Sequence, residues 1–158
     1  MAEPLVRPTT RVLLLDENDH LLLFRSTNDD GVSFWYPVGG GVESGESAEE
    51  GAVREVLEET GVSNLKLGPE VWYRRHVFVW RGVKYDLRER WFIARVRHFD
   101  LDTSGFTDEE RDAVLEYRWW TLDDLRGATE LLVPADLAER LGELLTYGPP
   151  STPVEVGI

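Results

Sequence analysis

The sequence predicts an α/β (α+β) fold. Three observations carry that prediction. Short apolar runs bounded by polar turns recur along the chain and read as strands. Residues 47–61 and 134–146 instead space their apolar side chains three and four apart, as helices do. Strands and helices are interspersed rather than segregated, which points to a mixed architecture. At 158 residues the chain is long enough for one substantial core. A single domain is expected over residues 1–148, with residues 149–158 as a flexible tail.

Each element has its own warrant. Residues 12–15 and 21–25 are apolar runs flanking the polar stretch Asp16-Glu17-Asn18-Asp19-His20, the pattern of a hairpin. Residues 26–34 are polar and contain glycine, hence a loop. An aromatic patch, Phe34-Trp35-Tyr36, then enters the bend Gly39-Gly40-Gly41. Ser47 with Glu50 three residues later forms a capping box, and Gly61 is a stop signal, so a helix lies between them. Its apolar residues Ala52, Val53, Val56 and Leu57 span about 140° of the wheel, leaving Arg54, Glu55, Glu58 and Glu59 opposite. Residues 65–67 and 71–80 read as strands, Arg81-Gly82 as a turn, and residues 83–96 as the returning strand. Residues 107–115 read as a short acidic helix or an ordered loop. Residues 117–121 form a strand and residues 122–125 a helical turn. The helix over residues 134–146 carries Leu137, Leu141, Leu144 and Leu145 on one side. Pro149, Pro150 and Pro153 then mark an end expected to fray.

Composition narrows the function. There is no cysteine, which excludes disulfides, zinc-thiolate sites and thiol catalysis and suits a reducing compartment, so the cytoplasm is the expected location. With 17 basic and 30 acidic residues the formal charge is −13. Such a surface disfavours long nucleic acid and anionic membranes, yet accepts a small phosphorylated ligand when divalent ions reverse the local sign. The first ten residues lack the apolar centre of a signal peptide, and no apolar run approaches the roughly 20 residues that cross a bilayer.

The chemistry is concentrated on the first helix. Glu55, Glu58 and Glu59 sit at spacings that place them on one face. Carboxylates packed that closely repel, and at least one pKa rises unless a cation sits among them. Clustered hard oxygens suit Mg²⁺ or Mn²⁺. A glycine-rich loop just upstream makes the combination a plausible phosphate-and-metal site. Glu49 and Glu50 lie outside this group and read as charges favoured by the helix N-terminus.

Written out, residues 40–62 are G-GVESG-E-SAEEGAV-R-E-V-L-E-E-T-G-V. This resembles the Nudix box: Gly, five residues, Glu, seven residues, then Arg-Glu-apolar-any-Glu-Glu-any-Gly-apolar. Gly40, Glu46, Arg54, Glu55, Glu58, Glu59 and Gly61 fill every fixed position, with Val56 and Val62 at the apolar ones. Chance agreement at so many positions is on the order of one in a million. One departure concerns the proline that commonly precedes the glycine pair opening the box: Val38 holds that place and Pro37 lies one earlier.

The resemblance implies a mixed β-sheet sandwiched between helices, covering roughly residues 10–146, with the box as loop–helix–loop. It implies divalent-metal-dependent hydrolysis of a nucleoside diphosphate linked to another group. Glu55, Glu58, Glu59 and the Gly39 carbonyl are the implied metal ligands. Arg54 either aligns them, with Glu46 as its partner, or serves as a structural pair. The general base is a box glutamate such as Glu58, or a carboxylate from a distant loop, where Glu109, Glu110 and Glu116 fall; Glu110 is the position carried forward, and Glu89 is a weaker candidate. A base could stack on Phe34, Trp35 or Tyr36, and of Trp119 and Trp120 one is expected in the core and one at a cleft. The markers of coenzyme A, ADP-ribose, dinucleoside polyphosphate and NADH hydrolases are absent. The expected partner is therefore a small nucleotide-type substrate, with a (d)NTP or oxidised-nucleotide pyrophosphatase favoured and self-association as a homodimer left open. The alternative is a non-catalytic Nudix-fold domain that senses a nucleotide or binds a partner.

Overall fold

Strand β1 (Leu5–Leu15) is the axis of the molecule. Its last four residues, Val12-Leu13-Leu14-Leu15, are fully buried. A strand covered on both faces has no need to alternate, which is why this run is continuously apolar. Leu13 and Leu15 enter one core with Trp72, Trp91, Leu137 and Leu141, while Val12 and Leu14 enter another with Phe24, Ala52, Val56 and Phe92. The computed structural model describes residues 3–101 and 116–157.

The remaining elements are β2 (Leu21–Thr27), β3 (Ser33–Tyr36), β4 (Val38–Gly41), helix α1 (Ala48–Thr60), β5 (Leu67–Trp80) and β6 (Val83–Arg95). They continue with β7 (Glu116–Trp120), the short α2 (Leu122–Arg126), β8 (Leu131–Leu132), α3 (Leu137–Tyr147) and β9 (Val154–Glu155). The strands form one mixed sheet in the order β8-β3-β2-β1-β6-β5-β9, with β4 also paired to β1 and β7 to β2. Helix α3 supplies the leucines of the first core and α1 the alanines and valine of the second, so helices cover both faces. This is the mixed sheet between helices that the sequence predicts.

One feature of the sheet creates the site. β1 runs parallel to β6 along its whole length, but on its other side it meets β2 only at Leu15. Where β2 departs, β4 takes its place, pairing residues Thr9–Val12 with Gly41–Val38. The glycines expected in a bend therefore lie in a strand. The reason is steric: a Cβ built on Gly39 would lie 2.0 Å from the Thr10 carbonyl oxygen, so only glycine permits this pairing.

Other differences are local. β1 begins at Leu5, well before the apolar run, because parallel pairing with Tyr85 onward organises its polar half. The Arg81-Gly82 turn forms as expected, with both residues at positive φ. Leu57 is 48% exposed although the wheel placed it on the buried side. The stripe that docks is instead Ala48, Gly51, Ala52, Val56 and Thr60, whose small side chains let α1 approach the sheet closely. Residues 149–158 read as a frayed tail from their prolines, but Val154–Glu155 pairs with Trp72–Tyr73 and Val156 is buried. The Gly157 carbonyl accepts from Arg74 Nε at 3.1 Å, a tertiary contact with no local signature. Among the described residues no helix is long and apolar enough to cross a membrane.

Candidate active site

Helix α1 is placed by its ends. The Ser47 hydroxyl accepts from the Glu50 backbone N–H at 3.0 Å, and the Glu50 carboxylate accepts from the Ser47 N–H at 3.1 Å. Gly61, at φ 80°, closes the helix by donating its N–H to the Leu57 carbonyl. Between these caps the buried stripe packs on β1 and β4, and the charged face turns toward the glycines of β4.

Arg54 is the hub of that face. Its Nε and Nη2 make a two-pronged pair with Glu46, at 2.8 and 2.9 Å. Nη2 also donates to the Gly41 carbonyl at 2.9 Å, tying the helix to the end of β4. Nη1 reaches Glu55 Oε1 at 3.1 Å and Glu58 Oε2 at 3.2 Å. A planar, permanently charged fork can hold this many oxygens at once. The pairing holds the Glu46 carboxyl down at about 2.

The other two carboxylates are less favourably placed. Burial raises the Glu55 pKa, opposed by Arg54 beside it. Burial raises that of Glu59 further, opposed by Arg11, and the Glu55 charge adds to the rise. The Glu55 charge bears on Glu59 in the same sense as burial, so the two neighbouring carboxyls resist being ionised together. Glu59 Oε2 also accepts the Gly39 N–H at 3.1 Å. Glu58 differs, with 43% of its side chain open to water. Glu46, Glu55 and Glu58 thus gather around the Arg54 guanidinium with Glu59 beside them on the Gly39 N–H, and burial disfavours the charged forms of Glu55 and Glu59. A hard divalent cation would offset that penalty, and the all-oxygen donor set fits Mg²⁺ or Mn²⁺.

The structure therefore brings together Gly39, Glu46, Arg54, Glu55, Glu58 and Glu59. Glu109 and Glu110 lie outside the described residues. Glu116 opens β7 and pairs with Arg25 at 3.4 Å. Glu89 is buried, with one oxygen on Arg74 Nη1 at 2.8 Å and the other on Arg11 Nε at 3.4 Å, so it serves as an ion-pair partner in place of a base open to water. Among the aromatics, Trp35 is buried edge-on against Trp120 and is lost to a ligand. Phe34 and Tyr36 are half-buried with rings 5.5 Å apart. Trp120 is in the core as one of the pair was expected to be, and Trp119 packs on His98 and Phe99.

Arg11 is the residue that the sequence reading passed over. Its guanidinium donates to the Pro37 carbonyl at 3.2 Å, lies 5.4 Å from the Tyr36 ring centroid, and acts electrostatically on Glu59. The available signal was an arginine directly before a fully buried apolar run. A charge there needs partners, and it finds them in Glu89 and the Pro37 carbonyl, beside the carboxylate cluster.

Comparison with known proteins agrees with this geometry. The chain matches the NUDIX domain over residues 5–145. A protein of Caulobacter vibrioides named RNA pyrophosphohydrolase is 31% identical over 144 residues, covering 83% of this chain and 79% of its own. One of the same name from Wolbachia pipientis of Culex pipiens is 28% identical over 128 residues, covering 75% and 76%. In fold, the chain is similar to the crystal structure of a MutT protein from Methanosarcina mazei, with a TM-score of 0.67 at 24% identity, covering 90% of this chain and 97% of the other. The capped helix with its charged face, the strand-borne glycines and the domain match have one reading in common: the chain belongs to the Nudix hydrolase family.

Proposed function

We propose that this Nudix hydrolase is a magnesium- or manganese-dependent pyrophosphohydrolase acting on a nucleoside 5′-polyphosphate group, with Glu55, Glu58, Glu59 and the Gly39 carbonyl holding the ions. The observation that carries the reading is the placement of Glu55, Glu58 and Glu59 on one face of α1, against the glycines of β4 and beside Arg54. Bound ions would neutralise the phosphate oxygens and make the attacking water more acidic. The protein's own residues do the rest. Arg54 locks α1 to β4 through Glu46 and the Gly41 carbonyl and aims Glu55 and Glu58. Glu58, the most open of the three, is placed to accept the proton of that water, with Glu110 as the carboxylate that could share the role. Gly39 and Gly40 let β4 lie directly against β1 and against the Glu55 carboxylate, where a Cβ would collide. Phe34 and Tyr36 offer a stacking surface next to Arg11.

The substrate is a free nucleoside triphosphate in this reading, split by water into a nucleoside monophosphate and pyrophosphate. A second reading, a 5′-triphosphate RNA end, is supported by the names of the relatives. Its cost is the charge of −13, which repels the body of a long RNA. A panel of (d)NTPs, oxidised (d)NTPs and short triphosphorylated RNAs, cleaved in ¹⁸O-water, separates these. Free nucleotides should turn over with the larger kcat/KM, and a preference for RNA ends would overturn that choice. Ligand binding without turnover across the whole panel would favour a sensor. The same preparation, followed by sedimentation, tests a homodimer, for which Val77, Val79 and Trp80 at the exposed end of β5 offer an apolar surface. The cytoplasmic location is tested by fractionation.

Metal and pH should be linked in a defined direction. The Glu55 and Glu59 pKa values are raised in the folded protein, so the unfolded chain binds fewer protons once pH exceeds the ordinary carboxyl value of about 4.3. The metal-free protein should therefore lose stability from this pair as pH climbs above about 5. Saturating Mg²⁺ should restore it, so the magnesium-induced rise in Tm grows with pH. Glu59→Gln should flatten that growth. A magnesium shift that does not change with pH in the wild type would contradict the assignment.

A further inference from the structure

We propose that Asp16, His20 and His98 form a second metal site, of transition-metal type, separate from the carboxylates of α1. Asp16 directly follows β1 and is fully buried. Its Oδ1 is occupied, accepting the backbone N–H groups of Asn18 at 2.8 Å and His20 at 2.9 Å. Its Oδ2 faces two imidazoles, with His98 Nδ1 at 2.8 Å and His20 Nδ1 at 3.3 Å. One donor atom from each of the three side chains lies within 4.8 Å of the other two.

The geometry is close to what a tetrahedral ion requires. Ligands about 2.0–2.1 Å from zinc stand about 3.3 Å apart. The Asp16–His20 separation already has that length, and the Asp16–His98 contact needs to open by only about half an ångström. Both histidines are partly exposed, so their rings can make that adjustment. Their supports are in place. The backbone bonds to Oδ1 orient the carboxylate, and the His98 ring packs on Trp119 at 4.8 Å while its backbone N–H is held by Glu17. Burial works against ionised Asp16, but its backbone and His98 hydrogen bonds outweigh that and keep the carboxyl below its usual range. Two imidazoles and one carboxylate suit Zn²⁺, Co²⁺ or Ni²⁺ in preference to Mg²⁺, and leave room for water as a fourth ligand. The ion would clamp the β1–β2 turn to the chain leaving β6. Asp16 lies five residue steps along the extended strand from Arg11, about 16 Å, so the two sites are distinct.

Zinc titration of the protein in saturating Mg²⁺, followed by calorimetry and by Tm, tests this, with Co²⁺ absorption as a reporter of imidazole ligation. One equivalent should bind the wild type and the Glu59→Gln variant, with a rise in Tm. His20→Ala and His98→Ala should each weaken binding at least tenfold and remove the Tm shift. The same substitution at His76, the third histidine of the chain, should change neither. His98→Gln, compared with wild type in metal-free buffer by circular dichroism, separates loss of a ligand from loss of fold. Zinc binding that is absent, competed away by Mg²⁺, or unchanged in His20→Ala/His98→Ala would overturn the proposal and leave the trio a hydrogen-bonded turn.

Discussion

Glu58→Gln and Glu59→Gln are each expected to cut turnover by about a hundredfold or more while leaving the fold intact. Each substitution removes one charge from the helix face without changing side-chain volume. Glu58 is half-exposed and pairs with Arg54, so its loss disturbs little packing. Glu59 accepts the Gly39 N–H, and a glutamine oxygen can replace that acceptor. The metal-free Glu59→Gln protein should even hold its stability at neutral pH better than the wild type, because the cost of keeping a buried carboxyl protonated at that pH has been removed. Steady-state kinetics at saturating Mg²⁺, with Tm measured in parallel, is the check. Full activity in both variants would refute the site.

Gly40→Ala is expected to lose about ten- to a hundredfold in kcat with only a small change in Tm, and Gly39→Ala to fail at the level of folding. The two glycines are neighbours in β4 but meet different atoms. A Cβ at Gly40 would lie 2.5 Å from Glu55 Oε1 and 2.7 Å from its Cδ. Those atoms end a flexible side chain, so the fold can yield by swinging Glu55 aside. The swing breaks the Glu55 contacts with Arg54 and Glu59, and a displacement of about an ångström is enough to cost that much rate. A Cβ at Gly39 would instead lie 2.0 Å from the Thr10 carbonyl oxygen and 2.9 Å from the Arg11 Cα, both backbone, at φ +153°. Nothing there can rotate away. Gly40→Ala with wild-type kcat would mean that Glu55 has no part in the reaction. Gly39→Ala with an unchanged Tm would mean that β4 does not pair as described.

The contrast explains which parts of the site could be read in advance. Ser47, Glu50 and Gly61 act within a few residues of themselves, through caps and hydrogen bonds of fixed sequence spacing, so α1 was predicted nearly to the residue. The shared face of Arg54, Glu55, Glu58 and Glu59 follows from helical geometry alone. Leu57 was misplaced because a wheel reports where apolar residues point and not how close the partner surface can come. Here Gly51 and Ala52 decided the approach.

Spacing along the chain, then, was enough to identify the helix, its charged face, the mixed class and the family, since each depends on interactions that local geometry dictates. Long-range pairing decided the rest. That β2 leaves β1 and β4 replaces it, that Arg11 comes to stand beside Glu59 and Tyr36, and that Val156 is covered, all require strands distant in sequence to meet in one register. Those meetings are set by the burial of both faces of β1, a property of the assembled sheet that no short segment encodes.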